Sequence, residues 1–395
     1  MLREGAEALE KKKCVIAMSC ILSTGEKCRR QLAGLERMGA ANPSIPCVLV
    51  GDFLCGGRSD SREVVLQTLK EGIERLNERG GGFAAVVRLG SGEPRERKRG
   101  ALEALSRYLV KRDGSEFGII LGGENIAGRE FILAADQDTV FVPGCALTLM
   151  RAALHPLSKR KNGKAPMIQP SVTAGLPYRR ATALEKALSD GMMPFYPSAG
   201  GELLCKPGYS PFGGKGLFEA EAYLEACAVL PQGRILSHDQ AEGDLLGCIK
   251  CPEAEAAETV PETAEAYLSR RNRWIRGDWQ NLLFLAGRRE FSASFRLCTV
   301  LNCVDSVKEL FVCTVPAILL AAAPAAFLPA IGLYALFCVI PLLLLLAQTL
   351  PAAFDAKRVW AADKTFNALA KGAVRAGLEA VFLPCSGANA ANAVG

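Results

Sequence analysis

The sequence predicts an α/β fold with a largely parallel sheet, because short apolar strands alternate with amphipathic helices through the N-terminal part of the chain. The strands are runs of apolar residues, and the helices show apolar side chains at helical spacing. At 395 residues, the chain exceeds one average domain and can bury a sizeable core. In such sheets ligands bind beyond the carboxyl ends of the strands, so polar residues at those ends are the first candidates for function.

The individual elements follow from local pattern. The predicted strands are 13–19, 45–53, 82–90 and the segment FILAAD at 131–136. The predicted helices are 25–40, 61–80 and 97–112. The helix over 61–80 has the clearest apolar stripe, and it ends at Gly80, where glycine forms a left-handed cap at little steric cost.

A long apolar run sets the C-terminal part of the chain apart. No charged residue occurs in 310–354. Since a membrane span needs about 20 apolar residues, this run predicts a hairpin of two spans, and the alternative is a buried hairpin in a soluble core. Arginines precede the run and lysines follow it, which predicts that both flanks face the cytoplasm at the inner membrane.

The expected organisation has five parts. These are a leader at 1–12, a catalytic α/β domain at 13–290, an interfacial helix at 291–309, the transmembrane hairpin at 310–354, and a cytoplasmic tail at 355–395, which is expected to be a truncated module junction.

Composition excludes several classes of protein. The net charge of +6 is modest and the basic residues are not interleaved with aromatic residues, so we expect no nucleic-acid partner. The N-terminal sequence MLREGAEALEKKK has no apolar core of the kind that signal peptides carry. Cys248 and Cys251 form a C-x-x-C pair without a second pair or a nearby histidine, so the cysteines predict thiols in a reducing cytosol rather than zinc.

Two acids one residue apart, Asp136 and Asp138, follow the FILAAD strand. Such a pair binds a hard divalent cation from one side and leaves its other positions to water and substrate phosphates. A diphosphate leaving group needs that cation, because negative charge builds on it as its bond breaks. The pair therefore predicts Mg²⁺ or Mn²⁺, whereas the alternative is an ordinary solvated turn, since so short a pattern also arises by chance.

Three further stretches favour the functional interpretation. ILSHDQAEGDLL (235–246) places Asp239 after a short predicted strand, where its carboxylate is suited to act as a general base. SRRNRWIRGDWQ (269–280) combines arginines for phosphate oxygens with tryptophans for a sugar ring, although an interfacial helix on lipid headgroups explains the same composition. Lys215 is flanked by glycines in a segment too short for a P-loop, and a flexible loop is its alternative.

These motifs together resemble the glycosyltransferase domain of cyclic β-1,2-glucan synthases. The resemblance covers roughly residues 13 to 355 and rests on RKRGALEAL, AADQDT, GGKGLFEAEAY, LSHDQAEGD and RRNRWIRGDWQ in this order. It implies a GT-A-type nucleotide-sugar fold and a membrane-bound, inverting, family-2-like glycosyltransferase. It further implies a UDP-glucose donor, a growing β-glucan acceptor and a divalent metal.

The resemblance assigns roles to the acids. Asp136 and Asp138 match the D-x-D motif, with Asp138 the closer metal ligand. Asp239 matches the catalytic base that deprotonates the acceptor hydroxyl. Asp52 matches an aspartate that contacts the uridine, although the following FLCGG replaces an expected second acid.

It assigns roles to basic and aromatic residues in the same way. Lys98 matches a basic residue near the donor, and Lys215 matches a loop beside the acceptor. Arg273 and Trp274 match the R-W of a Q-x-x-R-W motif, which holds the pyrophosphate and the acceptor sugar. Arg270 stands where the wider superfamily has glutamine, and we count it among the donor-binding residues.

Two other interpretations stay open at this point. Family members are several times longer than this chain, so the chain is either an active short synthase or a noncatalytic membrane-associated remnant or subunit that binds nucleotide. Missing modules of a larger synthase are then expected partners. A related synthase that uses another UDP-sugar would have the same site.

Overall fold

The structure is a computed structural model. It describes residues 13–53, 62–88, 97–155, 164–175, 210–233, 235–285, 288–322 and 385–393, together with residues 11, 158, 182, 184–185, 328–329, 332 and 335–336.

A nine-stranded sheet forms the centre of the fold, with the strand order β4-β3-β2-β1-β5-β8-β7-β9-β6. Its strands are β1 Cys14–Leu22, β2 Cys47–Phe53, β3 Phe83–Arg88, β4 Phe117–Leu121, β5 Phe131–Asp136, β6 Val140–Phe141, β7 Ile168–Ala174, β8 Gly216–Glu219 and β9 Ile249–Glu258. The helices are α1 Gly25–Ala41, α2 Arg62–Glu78, α3 Arg97–Lys111, α4 Gly123–Ile126, α5 Cys145–Leu154, α6 Ala220–Val229, α7 Asp239–Leu246, α8 Ala264–Leu285 and α9 Ala293–Ala322.

The parallel part of the sheet is smaller than predicted. Strands β3, β2, β1 and β5 are parallel, but β4 pairs antiparallel with β3, and β8 pairs antiparallel with β5 and β7. The short β6 is also antiparallel to β9. The predicted alternation of strands and helices does not include β4 and stops at β5, so it held no information about the pairing of β4 or of the later strands. The α/β class is confirmed, and the largely parallel sheet is correct only for these four strands.

Both faces of the parallel strands are buried. Along β1, Ile16 and Met18 pack in one core with the apolar side chains of α1 and α2, such as Leu32 and Leu69. The intervening residues Val15 and Ala17 belong to the opposite core, which contains the apolar side chains of α3 and α6. Because successive side chains of a strand point to opposite faces, continuous apolar runs are what a strand covered on both sides requires.

The predicted N-terminal elements agree with the structure to within a few residues at each end. The short strand expected before Asp239 is wrong: residues 235–238 are irregular, and Asp239 is the first residue of helix α7. Pro231 has no N–H to donate to a ladder, and Gly233 has a φ of +70°, so a turn precedes the segment.

Contacts divide the chain into two compact units. The first contains the described residues of 1–173, 201–259 and 285–296, and the second those of 174–200, 260–284 and 297–395. In the second unit a helical segment at 385–393 packs on α8, where Arg271 donates to the Ser386 hydroxyl and Asn272 donates to the Asn389 side chain.

The predicted interfacial helix and the start of the predicted hairpin lie on one continuous helix, α9. Within the part of the chain that the structure describes, no helix is both long enough and apolar enough to span a membrane. Most of the predicted hairpin after Ala322 lies outside the described residues, as do the leader at 1–10 and most of the tail at 355–395.

Candidate active site

The carboxyl ends of the four parallel strands meet at one edge of the sheet. There, Asp52 at the end of β2 is in register with Arg88 at the end of β3, and Asp136 at the end of β5 is in register with Ser19 on β1. Because these strands are parallel, both acids lie at the carboxyl ends of their strands, as predicted. Ligands of open α/β sheets bind beyond these ends.

A third carboxylate joins the predicted pair. Ligand atoms of Asp136, Asp138 and Glu258 all lie within 4.8 Å of one another. Glu258 is the last residue of β9 and is only 1% exposed, whereas the two aspartates are partly exposed. The cluster therefore combines one buried acid with two acids that face the solvent side.

The turn after β5 is fixed by its own hydrogen bonds. The backbone N–H of Asp136 donates to the Thr139 hydroxyl over 3.0 Å, and the N–H of Thr139 donates to the carbonyl of Asp136 over 3.1 Å. The Thr259 hydroxyl donates to Asp138 Oδ2 over 3.0 Å. These contacts hold Asp138 on the same side as Asp136 and next to the end of β9.

Two lysines contact the cluster. Lys98 Nζ donates to Asp136 Oδ1 over 2.6 Å, and Lys215 Nζ lies 3.0 Å from Asp136 Oδ2 and in direct contact with Glu258. Burial alone would raise the pKa of Asp136, but the two ammonium groups outweigh it and hold that pKa well below its usual value. Asp136 is therefore ionised at neutral pH, as a carboxylate ligand for a cation must be.

Asp239 lies near the same lysine at the start of helix α7. Lys98 Nζ donates to the carbonyl of Gly214 over 2.6 Å, and a methyl group added at Gly214 would lie 3.1 Å from Asp239 Oδ2. Burial raises the pKa of Asp239 above its ordinary value of 3.8, and the charges of Glu242 and Asp136 raise it further, against the opposing effect of Lys98 and His238. A carboxylate with a raised pKa is a better proton acceptor.

His238 and Glu242, which are close to Asp239 in the chain, form a buried pair. His238 Nδ1 lies 3.4 Å from Glu242 Oε1, and both side chains are buried. Burial lowers the pKa of His238, but the hydrogen bond and charge of Glu242 and the charge of Asp239 outweigh it, so the pKa is raised. His238 is thus a cation over more of the acidic pH range than an ordinary histidine.

The other acids of this segment are less suited to act as the base. Glu242 is 3% exposed and faces His238. Asp244 accepts hydrogen bonds from the backbone N–H and the hydroxyl of Ser292, at the start of helix α9. Asp239 is therefore the best suited of the three, because the other two are engaged by His238 and by Ser292.

Asp52, the predicted uridine contact, is bound by Arg88. Arg88 Nε donates to Asp52 Oδ1 and Nη2 donates to Asp52 Oδ2, each over 2.7 Å. Both oxygens of the carboxylate thus accept a hydrogen bond from one guanidinium group. The role of Asp52 toward a nucleobase stays a prediction.

The remaining predicted residues lie in the second unit. Arg270, Arg273 and Trp274 are on helix α8, where the Arg270 guanidinium lies 4.9 Å from the centre of the Trp274 ring and Arg273 is exposed. Stacking of this kind is attractive and orients both side chains. Their predicted roles toward donor and acceptor stay predictions.

The donor set fits a hard divalent cation. Such ions take carboxylate oxygens at about 2.0 to 2.6 Å, so ligand atoms within 4.8 Å of one another are able to share one ion. Asp136, Asp138 and Glu258 would hold it, with Lys98 and Lys215 as neighbouring positive charges.

Sequence comparison relates the chain to a known synthase. The chain is 27% identical over 206 residues to cyclic beta-(1,2)-glucan synthase NdvB from Rhizobium meliloti, and the match covers 48% of this chain and 7% of that protein. The predicted resemblance to a domain of this type is thereby confirmed. The chain matches no profile of a known protein family.

Two solved structures show distant similarity to this chain. The mannosyltransferase PcManGT from Pyrobaculum calidifontis, in complex with GDP-Man and Mn²⁺, is 14% identical with a TM-score of 0.48, over 94% of this chain and 87% of that one. Glucosyl-3-phosphoglycerate synthase from Mycobacterium tuberculosis is 12% identical with a TM-score of 0.35, over 69% of this chain and 81% of that one.

Three residues of the site were missed by the sequence analysis: Arg88, Gly214 and Glu258. A signal for Glu258 was present. Ala254, Ala256 and Glu258 occupy alternate, inward-facing positions of β9, and each is 1% exposed. A buried acid on the inward face of a strand needs a charged partner, and Lys215 is the partner of Glu258.

Proposed function

We propose that this chain is an inverting glycosyltransferase that transfers glucose from UDP-glucose to a growing β-glucan, as in cyclic β-1,2-glucan synthesis. The observation that carries the proposal is the convergence of Asp136, Asp138 and Glu258 on one point, with Asp239 close to Lys98 at the same site. A cation-binding cluster beside a carboxylate of raised pKa provides the two functions that transfer from a nucleoside diphosphate sugar needs.

The proposed step is a displacement at the anomeric carbon. Asp239 accepts the proton of an acceptor hydroxyl while that oxygen forms a bond to the anomeric carbon. The bond between this carbon and the diphosphate oxygen breaks, and UDP leaves with its electron pair. Lys98 and Lys215 supply positive charge near the departing phosphates, and a bound divalent cation supplies more of it.

The sequence motif on α8 has a place in this proposal. Arg270 and Arg273 are proposed to bind the pyrophosphate, and Trp274 is proposed to stack on the acceptor sugar. Arginine forks match phosphate oxygens, and the stacking of Arg270 on Trp274 keeps both side chains oriented. Asp52, paired with Arg88, is the proposed contact to the uridine.

Membrane attachment belongs to the proposal as well. The uncharged run 310–354 is proposed to form a hairpin in the inner membrane, with the catalytic domain on the cytoplasmic side. The lipid bilayer, and the further modules of a larger synthase, are the proposed partners. Fractionation of cells after a carbonate wash tests this part, because release of the chain into the soluble fraction would contradict it.

A noncatalytic chain that binds nucleotide is the second candidate. The observation that favours it is that lysines contact both oxygens of Asp136, so the charge of the cluster is partly balanced already. Release of UDP from radiolabelled UDP-sugars separates the two candidates. We expect release from UDP-glucose to exceed release from UDP-N-acetylglucosamine. UDP binding without release from any UDP-sugar would support the noncatalytic candidate, and faster release from another sugar would change the donor.

A further inference from the structure

Lys215 occupies an unusual position for a lysine. Its side chain is 4% exposed, and its ammonium group lies between two members of the acidic cluster, 3.0 Å from Asp136 Oδ2 and in contact with Glu258 Oε1. Glu258 is itself 1% exposed. A buried charge is stable only when it is paired, so this ammonium group stabilises the cluster from inside.

The charges of the cluster show what this arrangement does to a metal ion. Three carboxylates face two ammonium groups, those of Lys98 and Lys215, so the net charge is close to minus one. A divalent cation that joined Asp136, Asp138 and Glu258 would be repelled by Lys215 at short range, in surroundings that screen charge poorly. A diphosphate that arrived with the cation would restore the charge balance and give the ammonium group new oxygen partners.

We propose that Lys215 is a built-in counter-cation that couples the binding of metal to the binding of nucleoside diphosphate. On its own, the cluster binds a divalent cation weakly, and it binds the cation tightly only when the diphosphate is present. This inference rests on the proposed function, because it takes the ligand to be a nucleoside diphosphate. It assigns to Lys215 a positioning role at the metal site, in addition to the predicted role beside the acceptor.

Thermodynamic linkage relates the affinities for the metal and for UDP. If UDP raises the affinity for the metal by some factor, the metal must raise the affinity for UDP by the same factor. Coupling between two sites typically amounts to 5- to 150-fold, and we expect about tenfold or more here. The part of this factor that comes from Lys215 should disappear when its charge is removed.

The test is Mn²⁺ binding to the full chain, measured by electron paramagnetic resonance with and without saturating UDP. Lys215→Met keeps the length and the apolar stem of the side chain and removes its charge. We expect this variant to bind Mn²⁺ alone about tenfold more tightly than the parent, with a coupling factor that is smaller by a similar amount. Lys164→Met is the matched control, since Lys164 also lies between two carboxylates, those of Glu221 and Glu225, away from the cluster.

The binding of Mn²⁺ and UDP to the parent chain separates failure of this inference from failure of the proposed function. A parent chain that binds Mn²⁺ equally well with and without UDP, while it binds UDP, would overturn the inference and leave the proposed function in place. A chain that does not bind UDP at all would overturn both. If Lys215→Met does not fold because Glu258 is left unpaired, Lys215→Gln keeps an N–H donor for Glu258 and removes only the charge. The coupling factor of that variant should then be below that of the parent, and an unchanged factor would contradict the inference.

Discussion

Arg88 binds both carboxylate oxygens of Asp52 through two hydrogen bonds of 2.7 Å each. The side chains of Arg88 and Asp52 are 11% and 8% exposed, so this ion pair is largely buried. Removal of one partner leaves the other charge buried and uncompensated, which typically costs about 3–5 kcal/mol. We expect Arg88→Met to reduce the free energy of unfolding by about this amount, measured by urea denaturation.

The matched control for Arg88 is an exposed pair. Arg30 contacts Glu26 across one turn of helix α1, and its side chain is 77% exposed. Exposed pairs contribute at most about 1 kcal/mol, so Arg30→Met should have little effect on the urea midpoint. Equal losses in the two variants would show that the Asp52–Arg88 pair is not a buried structural contact.

Gly214 is required at its position for two reasons. Its φ is +85°, a region in which a side chain costs about 1–2 kcal/mol, and an added methyl group would lie 3.1 Å from Asp239 Oδ2. Gly233 has a φ of +70° with nothing within 4 Å of the added carbon. Gly214→Ala and Gly233→Ala should therefore lose similar stability, but only Gly214→Ala should also lose glucosyl transfer. Equal transfer rates in the two variants would contradict the placement of Asp239 beside Gly214.

The pH dependence of transfer should depend on His238. The base must be ionised, so activity rises with pH through the pKa of Asp239, which is raised above 3.8 by burial and by the charges of Glu242 and Asp136, against Lys98 and His238. The pKa of His238 is itself raised, so His238 keeps its positive charge to a higher pH than an ordinary histidine. His238→Gln removes the cation and raises the pKa of Asp239 further, so the acid limb of the pH profile should move to higher pH.

The other histidine of the chain provides the control for this experiment. His155 is exposed and lies just after helix α5, away from the site. The pH profile of His155→Gln should follow that of the parent. An acid limb that stays in place in His238→Gln would show that the charge of His238 does not act on the base.

The gain in UDP affinity that Mn²⁺ provides should require Asp138. Among the residues that the structure describes, no lysine forms an ion pair with its carboxylate, and the Thr259 hydroxyl donates a hydrogen bond to it. Asp138→Asn removes one charged hard ligand, so most of the gain in UDP affinity that Mn²⁺ provides should be lost. Calorimetric titration with UDP, in Mn²⁺ and in chelator, measures this gain. Asp113→Asn, at a fully exposed acid, should keep it, and a full gain in Asp138→Asn would refute the metal-ligand assignment.

The sequence was most informative where structure is local. The helix at Arg62–Glu78 and the strand at Phe131–Asp136 were predicted closely, because periodicity and a glycine cap act over a few neighbouring residues. Strand pairing after β5 was not predictable in this way. β8 lies beside β5 although some eighty residues separate them in the chain, and only tertiary packing determines that choice.

In the site as well, residues in local motifs were predictable and residues that depend on distant contacts were not. Asp136, Asp138 and Asp239 were found because each stands in a short motif. Glu258 and Arg88 were not, because their importance comes from contacts with Lys215 and Asp52, which are distant in sequence. The structure also brings the two predicted lysines, Lys98 and Lys215, to the same aspartate, which no local pattern shows.

Asp239 is the proposed general base of the glucosyl transfer. The most direct test measures UDP release from UDP-glucose by membranes that contain the full chain, together with UDP binding, for the parent and for Asp239→Asn. A base acts only in the transfer step, so its loss should lower turnover by about two to four orders of magnitude and leave UDP affinity unchanged. Turnover of Asp239→Asn equal to that of the parent would contradict the claim, as would a parent chain that binds UDP but releases none from UDP-glucose.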